Sequence, residues 1–264
     1  MSQPHESAPP APRAAAGEVV LRARGLTRRF GGVVAVREVD LDIHRGERRA
    51  VLGPNGAGKS SLFNLLAGAD TPTAGSIELF GADVTALGAR QRTRMGLSRT
   101  FQTSRLLGGL SVEDNLYLAA IGVDGGRFRL LRSRRDAAAR ERAAQVAGSV
   151  GMTHRLGELA GALSHGEQRQ LEIGLALVAE PKLLLLDEPA AGLSRAERQL
   201  LTALLLGLDH DVTLLIIEHD MDVALTVAER VTMMYEGAVI VEGTPAEIRS
   251  NQRVHDLYLG RAHV

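Results

Sequence analysis

Residues 48–68, RRAVLGPNGAGKSSLFNLLAG, constrain the fold more than any other stretch of this chain. RRAVLG reads as a buried strand, and SSLFNLLAG has apolar residues at helical spacing and stops at Gly68. Between them GPNGAGKS, Gly53 to Ser60, places three glycines in eight residues. A strand that turns through so short a loop into a helix leaves backbone N–H groups at the helix start without internal partners. Spacing and context match a phosphate-binding loop. The glycines let the N–H groups of residues 56 to 60 close around a β-phosphate, and the helix start adds a positive dipole end. Lys59 adds a point charge toward the β- and γ-phosphates, and the Ser60 hydroxyl is a candidate Mg2+ ligand. Gly53, Pro54, Asn55, Gly56, Ala57, Gly58, Lys59 and Ser60 are the candidate binding residues.

Two later strands end in groups that suit such a ligand. LLLLDE, Leu183 to Glu188, is an apolar run closing on adjacent carboxylates before Pro189. Side chains alternate along a strand, so the two carboxylates point different ways. Asp187 suits a Mg2+ role, direct or through water, and Glu188 suits a base orienting a water in line with the γ-phosphate. LLIIEH ends at His219, and the end of a central parallel strand faces the crevice where open α/β sheets bind ligands. His219 is the candidate γ-phosphate hydrogen-bonding group. A carboxylate pair after a strand is also a common helix start; the phosphate loop upstream is what gives this one chemical meaning.

The rest of the chain fits an α/β domain. VVLRARGL and VAVREVDLDI, broken by Gly31-Gly32, predict an antiparallel sheet near the N-terminus, and SIELF (76–80) predicts another strand. From about 103 to 162 the sequence becomes rich in Arg, Ala and Glu with helical periodicity, as in SVEDNLYLAAIG and RRDAAARERAAQVAGSVGM. After it, helices RAERQLLTALLLGL and MDVALTVAERV alternate with strands KLLLLDE, VTLLIIEH, VTMMYEG and AVIVEG, predicting a mostly parallel sheet covered on both faces. Thirty-one basic residues balance 31 acidic ones, so no global field favours nucleic acid. The absence of cysteine excludes disulfides and thiolate metal sites. No apolar run reaches the roughly 18 residues that span a bilayer, and MSQPHESAPPAPRAAAG reads as a disordered tail without a signal-peptide core. The expectation is an intracellular chain that reaches a membrane only through a partner.

LSHGEQ, 163 to 168, is a second anion site by its residue types. Ser164 and Gly166 are placed in a turn just before the helical run QRQLEIGLAL, where a hydroxyl and free N–H groups accept an anion.

Phosphate loop, LSHGEQ and LLLLDEP stand in the order and spacing of an ATP-binding-cassette (ABC) ATPase, which the chain resembles over residues 18 to 264. The resemblance implies a P-loop NTPase fold of the ABC type: a mostly parallel central sheet, an N-terminal antiparallel β-subdomain and a helical subdomain. It implies a tail over 1–17, an ATPase domain over 18–247 with the helical part at about 103–163, and a helical extension over 248–264. LSHGEQRQLE resembles the family's signature motif, which caps the γ-phosphate of ATP held by the other subunit; Ser164, Gly166 and Glu167 are then half of a composite site. Phe30 in RRFGG matches the aromatic residue stacked on adenine. Gln102 in SRTFQ matches the glutamine that contacts Mg2+ and the attacking water, and Ser61 follows Ser60 where threonines are frequent. AAGLS, 190 to 194, matches the loop that crosses the dimer interface. His165 replaces the first signature glycine, Glu167 the usual glutamine, and Ser194 a frequent Asp.

GLSRTFQTSRLLGGLSVEDNL, EHDMDVA and VEGTPAEIRSNQRVHDLYLG further resemble the G-type ATPase subunit of branched-chain or hydrophobic amino-acid importers. That implies ATP and Mg2+ as cofactors and a heterodimer with an F-type cassette. It also implies two permease subunits, an external solute-binding protein acting indirectly, and a place on the cytoplasmic face of the membrane. Urea and amide importers share the branch. A soluble cassette for DNA repair would carry a long coiled-coil insertion, and no sustained heptads occur here. A translation cassette would usually be duplicated in one chain, and a non-catalytic regulator has no need of Glu188, Gln102 and His219. The Arg-rich stretch RFRLLRSRRDAAARER (127–142) reads as a solvated helix face, or as part of a subdomain docking a permease near anionic headgroups.

Overall fold

The computed structural model describes residues 17–100, 106–123 and 134–259. It is α/β, with two sheets packed on opposite sides of one helix. The first sheet opens with a hairpin: β1 (Val19–Phe30) pairs antiparallel with β2 (Val33–His44), joined at Phe30 opposite Val33 through Gly31-Gly32. β4 (Ala74–Leu79) and β5 (Ala82–Asp83) extend it in the order β2-β1-β4-β5.

The second sheet contains β3 (Arg48–Leu52), β6 (Leu97–Arg99), β7 (Leu183–Asp187), β8 (Thr213–Ile217), β9 (Arg230–Tyr235) and β10 (Ala238–Gly243), in the order β10-β9-β3-β8-β7-β6. β9 and β10 form an antiparallel hairpin, and the other neighbours are parallel. The apolar runs of the central strands have a simple cause, since both faces are covered. Leu183, Leu185, Leu215 and Ile217 pack on one face against helix α1 (Lys59–Ala67) and the first sheet. Leu184, Leu186, Leu214 and Ile216 pack on the other against α3 (Val112–Val123), α4 (Arg134–Ser149), α5 (His165–Leu177) and α6 (Arg195–Gly207). Ala50, Leu52, Val231 and Met233 meet α7 (Met221–Val227) and α8 (Pro245–Ser250), with α9 (Gln252–Leu259) following. No helix among the described residues is long and apolar enough to cross a membrane.

Three local expectations need correction. α7 ends at Val227, not within AERV: Glu229 N–H donates to the Arg48 carbonyl at 2.8 Å and Arg230 already pairs with Arg49 in β3, so the sheet takes this segment from the helix. α5 starts at His165, because the Ser164 side chain accepts from Glu167 N–H and the Glu167 side chain accepts from Ser164 N–H, closing a capping box. Gly166 is therefore in the first helical turn and not in a preceding turn. The short elements α2 (Ala89–Arg94) and β6, which periodicity did not reveal, complete the connection from the first sheet to the second.

α2 supplies the strongest tie on α1. Arg92 is fully buried, and its guanidinium donates to the carbonyls of Leu65 (2.7 Å), Leu66 (2.8 Å), Val84 (2.8 Å) and Leu87 (2.9 Å). Two of these are last-turn carbonyls of α1: Leu65 also accepts from Gly68 N–H at 3.1 Å, while Leu66 has Arg92 as its donor, and a cation there complements the helix dipole. Burial lowers the Arg92 pKa to about 10, so the charge persists at neutral pH. Replacing Arg92→Met removes the donor of the Leu66 and Leu87 carbonyls and the second donor of Leu65 and Val84, and is expected to cost about 3 kcal/mol in chemical denaturation. Arg22→Met, which loses the half-exposed pairs to Asp42 and Glu78, should cost under about 1 kcal/mol. Equal losses would show that Arg92 is not the tie described.

Candidate functional site

The site lies where β3, β8 and β7 end. Val51 of β3 and Asp187 of β7 both stand opposite Ile217 of β8. The chain leaving each strand therefore emerges at one edge: the loop from Gly53, then Glu218 and His219, then Glu188. This is the carboxyl edge on which open parallel sheets bind ligands.

The loop from Gly53 to Ser60 is held by both sheets. A Cβ on Gly58, whose φ is 95°, would lie 2.2 Å from the Ala35 carbonyl oxygen of β2; one on Gly53 would lie 2.3 Å from that of Met234 in β9. Only glycine allows these approaches. Gly237 N–H closes the loop from β10's turn by donating to the Ala57 carbonyl at 3.0 Å. Lys59, the first residue of α1, is 6 % exposed, and its ammonium donates to the carbonyls of Gly53 (2.6 Å) and Pro54 (3.0 Å). Burial pulls its pKa down, while the charges of Glu188 and Asp187 push it up, so loop and carboxylates form one electrostatic unit. Asn55, Gly56 and Ser60 are exposed, Pro54 and Ser61 half-buried, and Ala57 buried.

Asp187 is 2 % exposed. Its Oδ2 accepts from Arg99 Nη2 at 2.7 Å, and Arg99 Nη1 donates to Asn64 Oδ1 of α1 at 2.7 Å. Asp187 Oδ1 is buried with no hydrogen-bond partner among the described residues. A buried carboxylate oxygen without a donor, beside a helix whose first turn carries the exposed Ser60, fits a divalent cation. No cluster of three or more His, Cys, Asp or Glu that could hold a metal occurs among the described residues, so phosphate and water oxygens would complete the shell. Gln102 lies outside the described residues.

Glu188 follows with φ 46°, a conformation uncommon for a residue with a side chain, and is half-buried. His219 is 56 % exposed, its Nδ1 4.0 Å from Glu218 Oε2. Glu218 is fully buried, and its carboxylate accepts from the N–H groups of Ala190 (2.8 Å), His219 (3.2 Å) and Asp220 (3.4 Å). Burial raises its pKa, only partly opposed by these donors. Phe30, at the hairpin tip, is 47 % exposed, and the Arg28 guanidinium lies 4.5 Å from its ring centroid. Arg28 is fixed in turn by Asp70 at 2.6 Å and the Thr71 carbonyl at 2.7 Å.

Ser164, Gly166 and Glu167 are placed elsewhere, at the start of α5. Glu167 also pairs with Arg155 at 2.8 Å, and hydrogen bonds from Ser164 hold its carboxyl below the usual range. Gly166 N–H donates to Glu197 Oε1 of α6 at 3.0 Å, so a carboxylate already lies against the signature amide. None of their hydrogen bonds among the described residues runs to the phosphate loop. Arg99, Glu218 and Glu197 escaped the sequence reading. A charge in the short strand LSR and a carboxylate directly after the four apolar residues LLII were the available signals.

The buried ammonium at the loop carries the binding prediction. Lys59→Ala should lower ATP affinity roughly 100-fold, the scale of a charge-assisted contact. Nucleotide titration of the purified variant checks this, and unchanged affinity would refute the loop as a phosphate site.

Comparisons with known proteins give the family. The ABC transporter family model matches residues 36–191, more than half of the chain, and a branched-chain amino acid ATP-binding cassette transporter model matches 238–264. The chain is 39 % identical to the high-affinity branched-chain amino acid transport ATP-binding protein BraF of Pseudomonas aeruginosa, over 92 % of this chain and 98 % of that protein. It is 38 % identical to LivG of Escherichia coli, of the same description, with the same coverage. Among solved structures, an ATP-binding cassette of an ABC transporter in its ADP conformation superposes with a TM-score of 0.81 at 27 % identity, covering 92 % of this chain and 99 % of that one. By these matches this chain is a member of the ABC transporter family, an ATP-binding and ATP-hydrolysing cassette.

Proposed function

We propose that the chain is the motor subunit of an importer for branched-chain or other hydrophobic amino acids, sitting on the cytoplasmic face of the membrane. Its partners in this reading are an F-type cassette and two permease subunits, fed by an external solute-binding protein. The observation that carries this is the near full-length identity to BraF and LivG, whose descriptions name that transport. The match of the C-terminal residues 238–264 to the branched-chain transporter model adds to it.

The residues divide the work as their positions suggest. Lys59 and the N–H groups of residues 56 to 60 bind and orient the phosphates, and Ser61 extends the helix start. Phe30 offers its exposed ring to adenine. Ser60, Gln102 and Asp187 would hold Mg2+, which would supply positive charge against the phosphates. Glu188 orients the attacking water and takes its proton at a carboxylate oxygen, and His219 hydrogen-bonds the γ-phosphate. Ser164, Gly166 and Glu167 serve the ATP of the opposing cassette. ATP favours the closed pair because it contacts both halves only there, and hydrolysis removes that preference.

Two experiments test this reading. Glu188→Gln should keep ATP affinity within about twofold and slow turnover roughly 100-fold or more, the range of general-base loss; normal turnover would remove Glu188 from its role. Co-purification of the tagged chain from native membranes, read by mass spectrometry, should recover two multi-span permeases and a second cassette. A chain that purifies with ribosomes or DNA ends would overturn the transport reading, and a urea- or amide-binding protein in the complex would overturn the amino-acid substrate.

A further inference from the structure

The turn that carries Glu188 is gripped from two sides by side chains that nothing above has given a role. Arg169, five residues beyond Ser164 on α5, donates from Nη2 to the Glu188 carbonyl at 3.1 Å and from Nε to the Pro189 carbonyl at 3.0 Å. Its third nitrogen is anchored by Glu172 at 2.7 Å, and both side chains are 12 % exposed. From the opposite side the buried Glu218 carboxylate takes the Ala190 N–H. Glu188 N–H is fixed on the Ile217 carbonyl at 2.9 Å, and the Glu188 carbonyl also accepts from Ala191 N–H at 3.1 Å.

A left-handed φ at a residue with a side chain persists only where its surroundings over-determine it. Here the surroundings are a planar guanidinium spanning two successive carbonyls, which lysine's single ammonium cannot reproduce. The aim of the Glu188 carboxylate is then set by α5.

We propose that Arg169 is a positioning residue for ATP hydrolysis: it holds the Glu188 turn so that the carboxylate faces the water, and so ties the helix that starts at the signature to the base of its own chain. Among the described residues the hydrogen bonds of Arg169 run to Glu172 and to the Glu188 and Pro189 carbonyls and none to the phosphate loop, so ATP binding should not need it. The inference rests on Glu188 acting as base, and the test separates the two.

Arg169→Met and Arg169→Lys are made in the full chain with its partner cassette and permeases, each alone and combined with Glu188→Gln. ATP affinity, KM, kcat and thermal unfolding are measured. A base displaced by about 1 Å can lose on the order of 100-fold in rate. The expected result is a fall in kcat of roughly 10- to 100-fold for both variants, with ATP affinity and KM within about twofold. In the Glu188→Gln background neither should lower the residual rate further. Unchanged kcat in the folded Lys variant overturns the proposal, as does an equal loss with and without Glu188→Gln, or a loss that follows ATP affinity. If Glu188→Gln alone turns over normally, the base assignment fails, and a rate loss on Arg169→Lys beside it would show that Arg169 acts through another group and also overturn the proposal.

Discussion

A strand covered on both faces cannot carry a charge in its middle without leaving it buried and unpaired, so polar chemistry appears only where such strands end. β7 and β8 are five apolar-rich residues long and buried throughout. Asp187, Glu188, Glu218 and His219 stand at or just past their last paired positions. Because β3 shares their register, its phosphate loop leaves the sheet at the same edge. Loop, carboxylates and histidine thus emerge at one edge of the sheet as a consequence of parallel pairing.

The opposite edge confirms the division. β3 begins with two buried arginines, and both make structural bonds. Arg49 is held by Glu47 at 2.5 Å, Glu242 at 2.8 Å and Thr232 at 2.9 Å, while Arg48 donates to the Leu206 and Leu208 carbonyls at the end of α6. α1 is likewise fixed at both ends. Gly58 lies against β2 at its start, and Arg92 satisfies the carbonyls at its finish. The phosphate loop is mounted on a helix with little freedom to drift.

What was legible in the sequence was what depends on neighbours along the chain. GPNGAGKS, LLLLDEP and the Gly31-Gly32 hairpin announce themselves through turn chemistry and strand pattern, and the helices around 112–177 through period. What was not legible depends on pairs brought together by the fold. Asp187 meets Arg99 across 88 residues, Gly166 meets Glu197 across 31, and Glu188 meets Arg169 across 19. The misplaced boundaries have the same origin: sheet pairing claims Glu229 and Arg230 from α7, and a capping box at Ser164 moves Gly166 into α5. β6 has three residues, too few for any period to show.

One consequence joins these parts. The Gly166 N–H, in the stretch that resembles the signature, already donates to the Glu197 carboxylate of its own chain, and has no bond to the candidate phosphate loop among the described residues. In the composite-site account an opposing ATP takes the place of that carboxylate. The decisive measurement is a cryo-EM structure of the membrane assembly carrying Glu188→Gln, with ATP and Mg2+. The account predicts the Ser164 hydroxyl and Gly166 N–H within about 3 Å of a γ-phosphate whose β-phosphate is wrapped by the other cassette's loop, with Glu197 withdrawn. A γ-phosphate contacted by one chain alone, with Gly166 still bonded to Glu197, would contradict it.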